Sequence, residues 1–104
     1  MMSRMTLIGR VACAILPLAC APAPRSHAIE IREFKYAPAS LKVRKGDTLV
    51  FANRDIVPHT ATARDTSWNT GDIPARTSAR IVVSSGADYF CIYHPTMTAS
   101  IELP

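Results

Sequence analysis

Three side chains with metal-binding chemistry lie close together near the end of the sequence. Cys91, His94 and Met97 place a thiol, an imidazole and a thioether within seven residues, with two residues between each pair. This spacing allows one tight loop to turn all three side chains toward a single point. A second imidazole, His59, follows Pro58 further upstream. We expect the rest of the fold to bring it to the same point as a fourth ligand.

The combination of donor atoms predicts which metal these residues bind. A thiolate and two imidazoles in a trigonal arrangement, with a weak and long axial thioether, form the ligand set of a blue-copper site. The soft sulfur ligands favour Cu(I), and imidazole accepts both copper oxidation states. We therefore predict one type 1 copper, with Cys91 as the thiolate and Met97 as the axial ligand. Zinc is an alternative for Cys and His, but a thioether is a poor zinc ligand.

Each of these residues also has a purely structural interpretation. A buried cysteine commonly acts as a small apolar residue, and methionine commonly fills gaps in a core. The prolines favour the metal interpretation. Pro95 restricts the backbone of His94 and removes one amide donor, so it stiffens the proposed ligand loop. We assign a similar stiffening role to Pro58 at His59.

The start of the sequence is typical of a secretory leader. Two arginines precede an apolar run, Val11–Ala21, and the small residues of Ser26–Ala28 suit a signal peptidase. The run is interrupted by Pro17 and is too short to span a membrane. Cys20 offers a lipidation site, but Pro17 stands where that motif prefers leucine. We expect residues 1–28 to be a cleaved signal peptide.

Cleavage after Ala28 leaves residues 29–104 as a single domain. The leader takes with it every cysteine, histidine and methionine except the four proposed ligands. An exported domain with one thiol forms no internal disulfide, so metal ligation gives that thiol both a role and protection. Nine basic and eight acidic residues remain, which is no basis for nucleic-acid binding.

Short apolar and polar alternations separated by turn residues predict β-strands. Gly46 supplies positive φ to a turn at Lys45–Asp47, and antiparallel pairing of the strands on either side is the economical connection. No stretch has a helical period of adequate length. The predicted strands are residues 29–34, 41–44, 48–51, 59–63, 77–83, 87–91 and 98–103.

These strands predict an all-β fold. About seven short strands with closely spaced turns indicate a small two-sheet β-sandwich with Greek-key connections. Only two packed sheets provide such strands with a shared core. The aromatic residues Phe51 and Trp68 are predicted to pack in that core.

Two stretches of the chain resemble the small cupredoxins, the blue copper proteins of the amicyanin and plastocyanin kind. The first comprises Phe34–Val43, Gly46–Asp55 and Pro58–Thr60, and the second runs from Tyr89 to Met97. The two-residue gaps on either side of His94 are similar to the amicyanin loop, whereas azurins and plastocyanins have longer loops. The family usually has glycine at the position of Ala99, so Ala99 is strained if its backbone needs positive φ.

The resemblance implies a periplasmic carrier of single electrons that is not an enzyme. It also implies that Asn53 supports the ligand loop, and that His94 lies beside an exposed apolar patch where redox partners dock transiently. Asn53 is alternatively a turn residue with Asp55. By family analogy the electron donor is an amine dehydrogenase and the acceptor a c-type cytochrome. We expect a monomer with no membrane span after processing.

Two other functions fit parts of the pattern. A copper-handling protein, for delivery or protection, would use the same metal, but a Cu(I) carrier is more usually rich in exposed Met or His. Multicopper oxidases and nitrite reductases contain similar type 1 centres together with further His-rich copper sites. The two histidines of residues 29–104 are too few to build such a second site.

Overall fold

The structure, a computed structural model, describes residues 22–104. These residues form eight short strands and no helix. One sheet has the strand order β2-β1-β4-β6, and the other β3-β8-β7-β5. The predicted all-β, two-sheet architecture is confirmed, with eight strands where about seven were expected. The strands are β1 (Ser26–Arg32), β2 (Lys35–Ala37), β3 (Ser40–Lys42), β4 (Thr48–Asn53), β5 (Thr62–Ala63), β6 (Ser78–Val82), β7 (Ala87–Phe90) and β8 (Thr98–Glu102).

Alternating side chains place the core between the two sheets. Along β4, Leu49, Phe51 and Asn53 are buried while their neighbours are half-buried, which is the two-residue period of a strand with one face inward. Phe51 lies 6.1 Å from Trp68 and 5.6 Å from Tyr89, measured between ring centres. The prediction that Phe51 and Trp68 are core aromatics is therefore confirmed.

One predicted strand pairing is wrong. The turn after β3 was expected to join an antiparallel pair, but β3 and β4 lie in different sheets. β3 pairs in parallel with β8, and β4 pairs in parallel with β1. Crossing from one sheet to the other lets Leu41 and Leu49 approach the shared core from opposite sides.

The first predicted strand ends earlier than expected. Glu33 and Phe34 have φ of 54° and 60°, so they turn the chain and begin the short strand β2, which the sequence pattern does not indicate. Residues with a Cβ rarely adopt such angles, and nothing local in Glu-Phe announces them. The expected strain at Ala99 is absent, because Ala99 lies in β8 opposite Tyr89 and is not among the positive-φ residues.

The predicted strand at residues 59–63 is largely a loop. Only β5 is regular strand, and His59 is joined to Ile73 by an isolated bridge. Most of the predicted leader, residues 1–21, lies outside the described residues. Within residues 22–104, no helix has the length and apolar character needed to cross a membrane.

A buried carboxylate ties the start of β4 to the chain that leads into β1. Asp47 accepts the amide of Arg25 at 2.9 Å and the amide of Arg44 at 3.1 Å. Nε2 of His27 lies 2.8 Å from the same carboxylate. These donors, the Arg25 amide first, lower the pKa of Asp47 to about 2.

We predict that Asp47 makes the described fold sensitive to acid. Because its pKa falls from 3.8 to about 2 on folding, the contribution to stability is complete above the unfolded value and is lost as pH falls through the folded one. Asp47→Asn should lower the free energy of unfolding at neutral pH and flatten its decline between those two values. Urea unfolding over a pH series measures both effects, and a variant as acid-sensitive as the parent would contradict the prediction.

Candidate metal centre

Three of the predicted ligands converge at one point. One potential ligand atom from each of His59, Cys91 and His94 lies within 4.8 Å of the other two. Sγ of Cys91 is 3.7 Å from Nδ1 of His59 and 3.7 Å from Nδ1 of His94. The two imidazole ring centres are 5.1 Å apart. The structure therefore assembles a thiol and two imidazoles from two separate parts of the chain.

The separation of these atoms fits a trigonal metal site. Bonds of the length known for zinc, about 2.3 Å to sulfur and about 2.0 Å to nitrogen, place sulfur and nitrogen about 3.7 Å apart when they meet at about 120°, the angle of a trigonal site. Both sulfur–nitrogen distances have this value. Both imidazole nitrogens therefore already lie at the distance from the sulfur that a shared metal ion requires.

The ligand loop consists of two successive tight turns. The amide of His94 donates to the carbonyl of Cys91, and the amide of Met97 donates to the carbonyl of His94. A third bond, from the Cys91 amide to the Met97 carbonyl at 3.2 Å, closes the loop. Pro95 follows the first residue of the second turn, where its fixed φ is favoured. These turns account for the two-residue spacing between the predicted ligands.

Met97 lies at the inner end of this loop. It is buried and belongs to the hydrophobic core cluster, beside the start of β8. This position is compatible with an axial ligand and with a plain core methionine. Axial ligation by Met97 stays a prediction.

The sulfur of Cys91 is enclosed by protein. Cys91 is fully buried and is the free cysteine of the described residues. The amide of Thr60 points at its sulfur, with the nitrogen 3.4 Å away, and the Thr60 hydroxyl accepts the amide of Ile92. A hydrogen bond to a thiolate stabilises its charged form. Thr60, the residue after His59, thus connects the His59 segment to the Cys91 loop.

The orientation of His59 follows from its hydrogen bonds. Its backbone is joined to Ile73 in both directions, and the side chain is fully buried. Nε2 lies 2.8 Å from a carboxylate oxygen of Asp55. Because a carboxylate only accepts hydrogen bonds, Nε2 carries a hydrogen, and Nδ1 is the ring nitrogen that faces Cys91.

Sequence reasoning missed two residues that contact the site, Asp55 and Phe34. Asp55, interpreted only as a turn residue, accepts the amides of Glu33 at 2.7 Å and Phe34 at 3.0 Å as well as facing His59. Burial raises the pKa of Asp55, but the Phe34 and Glu33 amides and His59 outweigh burial and leave it below its ordinary value. The signal in the sequence was the position of this acidic residue, four residues before the proposed ligand His59.

The ring of Phe34 packs against both imidazoles. Its centre lies 4.6 Å from that of His94 and 5.1 Å from that of His59, with interplanar angles of 88° and 87°. Edge-to-face packing of this kind is a favourable aromatic arrangement. Phe34 is 46% exposed, so its ring lies between the imidazoles and solvent.

Asn53 supports the upstream histidine segment. Its side-chain nitrogen donates to the carbonyls of Val57 and Ile73, both at 2.9 Å, and its oxygen accepts the amide of Asp55. Within residues 22–104, its side-chain hydrogen bonds include none to the Cys91–Met97 loop. These hydrogen bonds place Asn53 on the His59 side of the site, and its support of the Cys91–Met97 loop stays a prediction.

Exposed apolar side chains cluster in the segments that form the site. Phe34, Ile56, Ile92 and Tyr93 are between 46% and 79% exposed, and each belongs to a segment that carries or contacts a ligand. The Tyr93 hydroxyl donates to Asp72 at 2.6 Å. This cluster is called the apolar rim below.

Comparison with solved structures shows which known fold this architecture resembles. A reduced amicyanin variant matches with a TM-score of 0.70 and 22% identity, over 83% of this chain and 89% of that chain. A purple cupredoxin from Nitrosopumilus maritimus matches with a TM-score of 0.67 and 20% identity, over 74% of this chain and 98% of that one. The chain has the cupredoxin fold.

The cupredoxin fold also occurs within larger proteins. A copper-containing nitrite reductase from Thermus scotoductus matches with a TM-score of 0.67 and 21% identity, over 81% of this chain but only 23% of that one. No protein-family model and no curated protein matches the sequence. The cupredoxin fold is thus established by structure, and function has to be argued from the site.

Proposed function

We propose that this protein binds one copper ion as a type 1 centre and carries single electrons between redox partners. The observation that carries the proposal is the position of Cys91 Sγ, 3.7 Å from Nδ1 of both His59 and His94. Met97 is the proposed axial ligand. When bound, copper supplies one-electron redox chemistry through its Cu(II) and Cu(I) states.

The protein contributes to electron transfer by keeping the metal-binding atoms in fixed positions. Cys91 and His59 are fully buried, and the two turns fixed by hydrogen bonds leave the loop little freedom. A ligand set that changes little between oxidation states requires little reorganisation during electron transfer. The buried surroundings of Cys91 also keep oxidants away from its thiolate.

Electrons would enter and leave near His94. Among the three converging ligands it alone is half-buried rather than buried, and it contacts the exposed ring of Phe34. The apolar rim offers a small surface for transient docking, as suits weak redox encounters. An amine dehydrogenase donor and a c-type cytochrome acceptor remain family analogies, and a monomeric state remains an expectation. We propose no enzymatic role.

The test is the visible spectrum of the copper-loaded protein. An intense blue thiolate-to-copper band should appear with Cu(II), bleach with a mild reductant and return on oxidation. Mixing with an oxidised c-type cytochrome should then show electron transfer directly. A colourless protein that holds only Cu(I) would reject electron transfer and favour copper delivery or protection.

We further propose export to the periplasm with removal of residues 1–28. In the described chain, Ser26, His27 and Ala28 form the first part of β1 and pair with β4. Cleavage after Ala28 would shorten β1 and take two partners from Asp47. The intact mass of the exported protein decides between a start at Ile29 and one upstream of Ser26.

Removal of copper is expected to lower thermal stability. A metal that binds only the folded state stabilises it by mass action, by about 2.7 kcal/mol at a free concentration 100 times the dissociation constant. The copper-free protein should therefore unfold at a lower temperature, and added Cu(II) should restore the loss. Calorimetry with and without a chelator measures the shift. Equal unfolding temperatures would contradict binding at this site.

A further inference from the structure

A single carboxylate connects three parts of the site. Oδ1 of Asp55 accepts the Glu33 amide at 2.7 Å, and Oδ2 accepts the Phe34 amide at 3.0 Å. Oδ2 also lies 2.8 Å from Nε2 of His59. The backbone amide of Asp55 donates to Oδ1 of Asn53 at 2.9 Å, which fixes the position of Asp55. Three donors therefore converge on one side chain next to a proposed ligand.

The turn held by Asp55 has an unfavourable backbone. Glu33 and Phe34 both have positive φ, a conformation that costs free energy in residues with a Cβ. The two amide-to-carboxylate hydrogen bonds stabilise the turn in this conformation. This conformation places the Phe34 ring edge-on against His59 and His94.

We infer that Asp55 is a positioning residue of the metal centre, which fixes both imidazoles, one directly and one through Phe34. The hydrogen bond to Nε2 of His59 holds that ring with Nδ1 toward Cys91. The turn amides hold Phe34 against His94. This inference rests on the proposed copper site, and it adds a role for a residue outside the ligand set.

The charge of Asp55 has a second effect on the same imidazole. A carboxylate that accepts the N–H of a metal-bound histidine makes that histidine a stronger donor. Stronger donation and a nearby negative charge both favour Cu(II) over Cu(I). Asp55 is therefore expected to lower the reduction potential of the copper, which turn stabilisation alone would not do.

The experiment compares Asp55→Asn with a matched control in the copper-loaded protein. Asparagine has one acceptor oxygen beside an NH₂ group, so it cannot accept all three donors. Asp65→Asn is the control, because Asp65 also holds a turn with a positive-φ residue, Thr66, through bonds to Ser67. Its side-chain hydrogen bonds go to Ser67 and not to the ligands.

We expect Asp55→Asn to weaken copper affinity about 10- to 100-fold, to raise the reduction potential and to change the relative intensities of the thiolate bands. Asp65→Asn should leave all three at parental values. Parental affinity, potential and spectrum in Asp55→Asn would overturn the inference. If Asp55→Asn does not fold, Phe34→Leu replaces it, and an unchanged band pattern in that variant would overturn the inference.

A copper-free measurement separates this inference from the proposed function. Nitrogen NMR of the metal-free parent should show His59 as a single tautomer with hydrogen on Nε2, and Asp55→Asn should lose that preference. If the parent never turns blue, the copper proposal fails while this result still decides the role of Asp55. A His59 ring of the same single tautomer in both proteins would reject positioning by Asp55 whatever metal binds.

Discussion

Cys91→Ser is expected to abolish the blue absorption of the copper-loaded protein. The band arises from charge transfer between thiolate sulfur and Cu(II), and the serine hydroxyl is a harder and weaker ligand. Cys91 is the free cysteine of the described residues, and its sulfur lies 3.7 Å from both imidazoles. The visible spectrum and electron paramagnetic resonance of the Cu(II) form measure the loss.

The fold should survive this substitution. Serine is close in size to cysteine, and its hydroxyl can accept the Thr60 amide that now points at the sulfur. Thr96→Ser, an exposed change in the same loop, is the matched control and should keep the band. A Cys91→Ser variant that stays blue would remove the basis for the proposed copper site.

Phe51→Ala is expected to cause the largest loss of stability. Phe51 is fully buried on the central strand β4, with its ring close to those of Tyr36, Trp68 and Tyr89. Removing a buried aromatic ring costs about 3–5 kcal/mol through lost burial and the cavity left behind. That is a large part of the stability of a domain of this size.

Chemical denaturation of the metal-free proteins measures this effect without a contribution from copper binding. Val82→Ala is the control, because Val82 is 65% exposed on the edge strand β6, and surface changes usually stay within about 0.5 kcal/mol. A Phe51→Ala variant that unfolds at the same denaturant concentration as Val82→Ala would show that the aromatic cluster is not the core of the fold.

The ligand loop could be predicted because its geometry is local. Hydrogen bonds between residues three apart set the positions of Cys91, His94 and Met97, so their spacing in the sequence already specifies a turn. The two-sheet sandwich could be predicted for a similar reason. Alternation along β4 and the turn at Gly46 are visible within a few residues.

The role of Asp55 could not be predicted in the same way. Its contacts to Glu33 and Phe34 lie 22 and 21 residues away along the chain, and they depend on a positive-φ turn that Glu-Phe does not indicate. The pairing of β3 and β4 failed for a related reason. Either choice buries one face of each strand, so alternation alone does not decide which sheet a strand joins.

The position of β8 has a consequence for the order of folding. β8 lies between β3 and β7 in its sheet, and Ser40 at the start of β3 pairs with Ser100. The second sheet therefore has no continuous hydrogen-bonded centre until residues 98–102 have paired with both neighbours. Such distant pairing slows folding, because a long loop must close before its contacts form. A chain in which β8 has not yet paired would hold the thiol of Cys91 in an unfinished and accessible site.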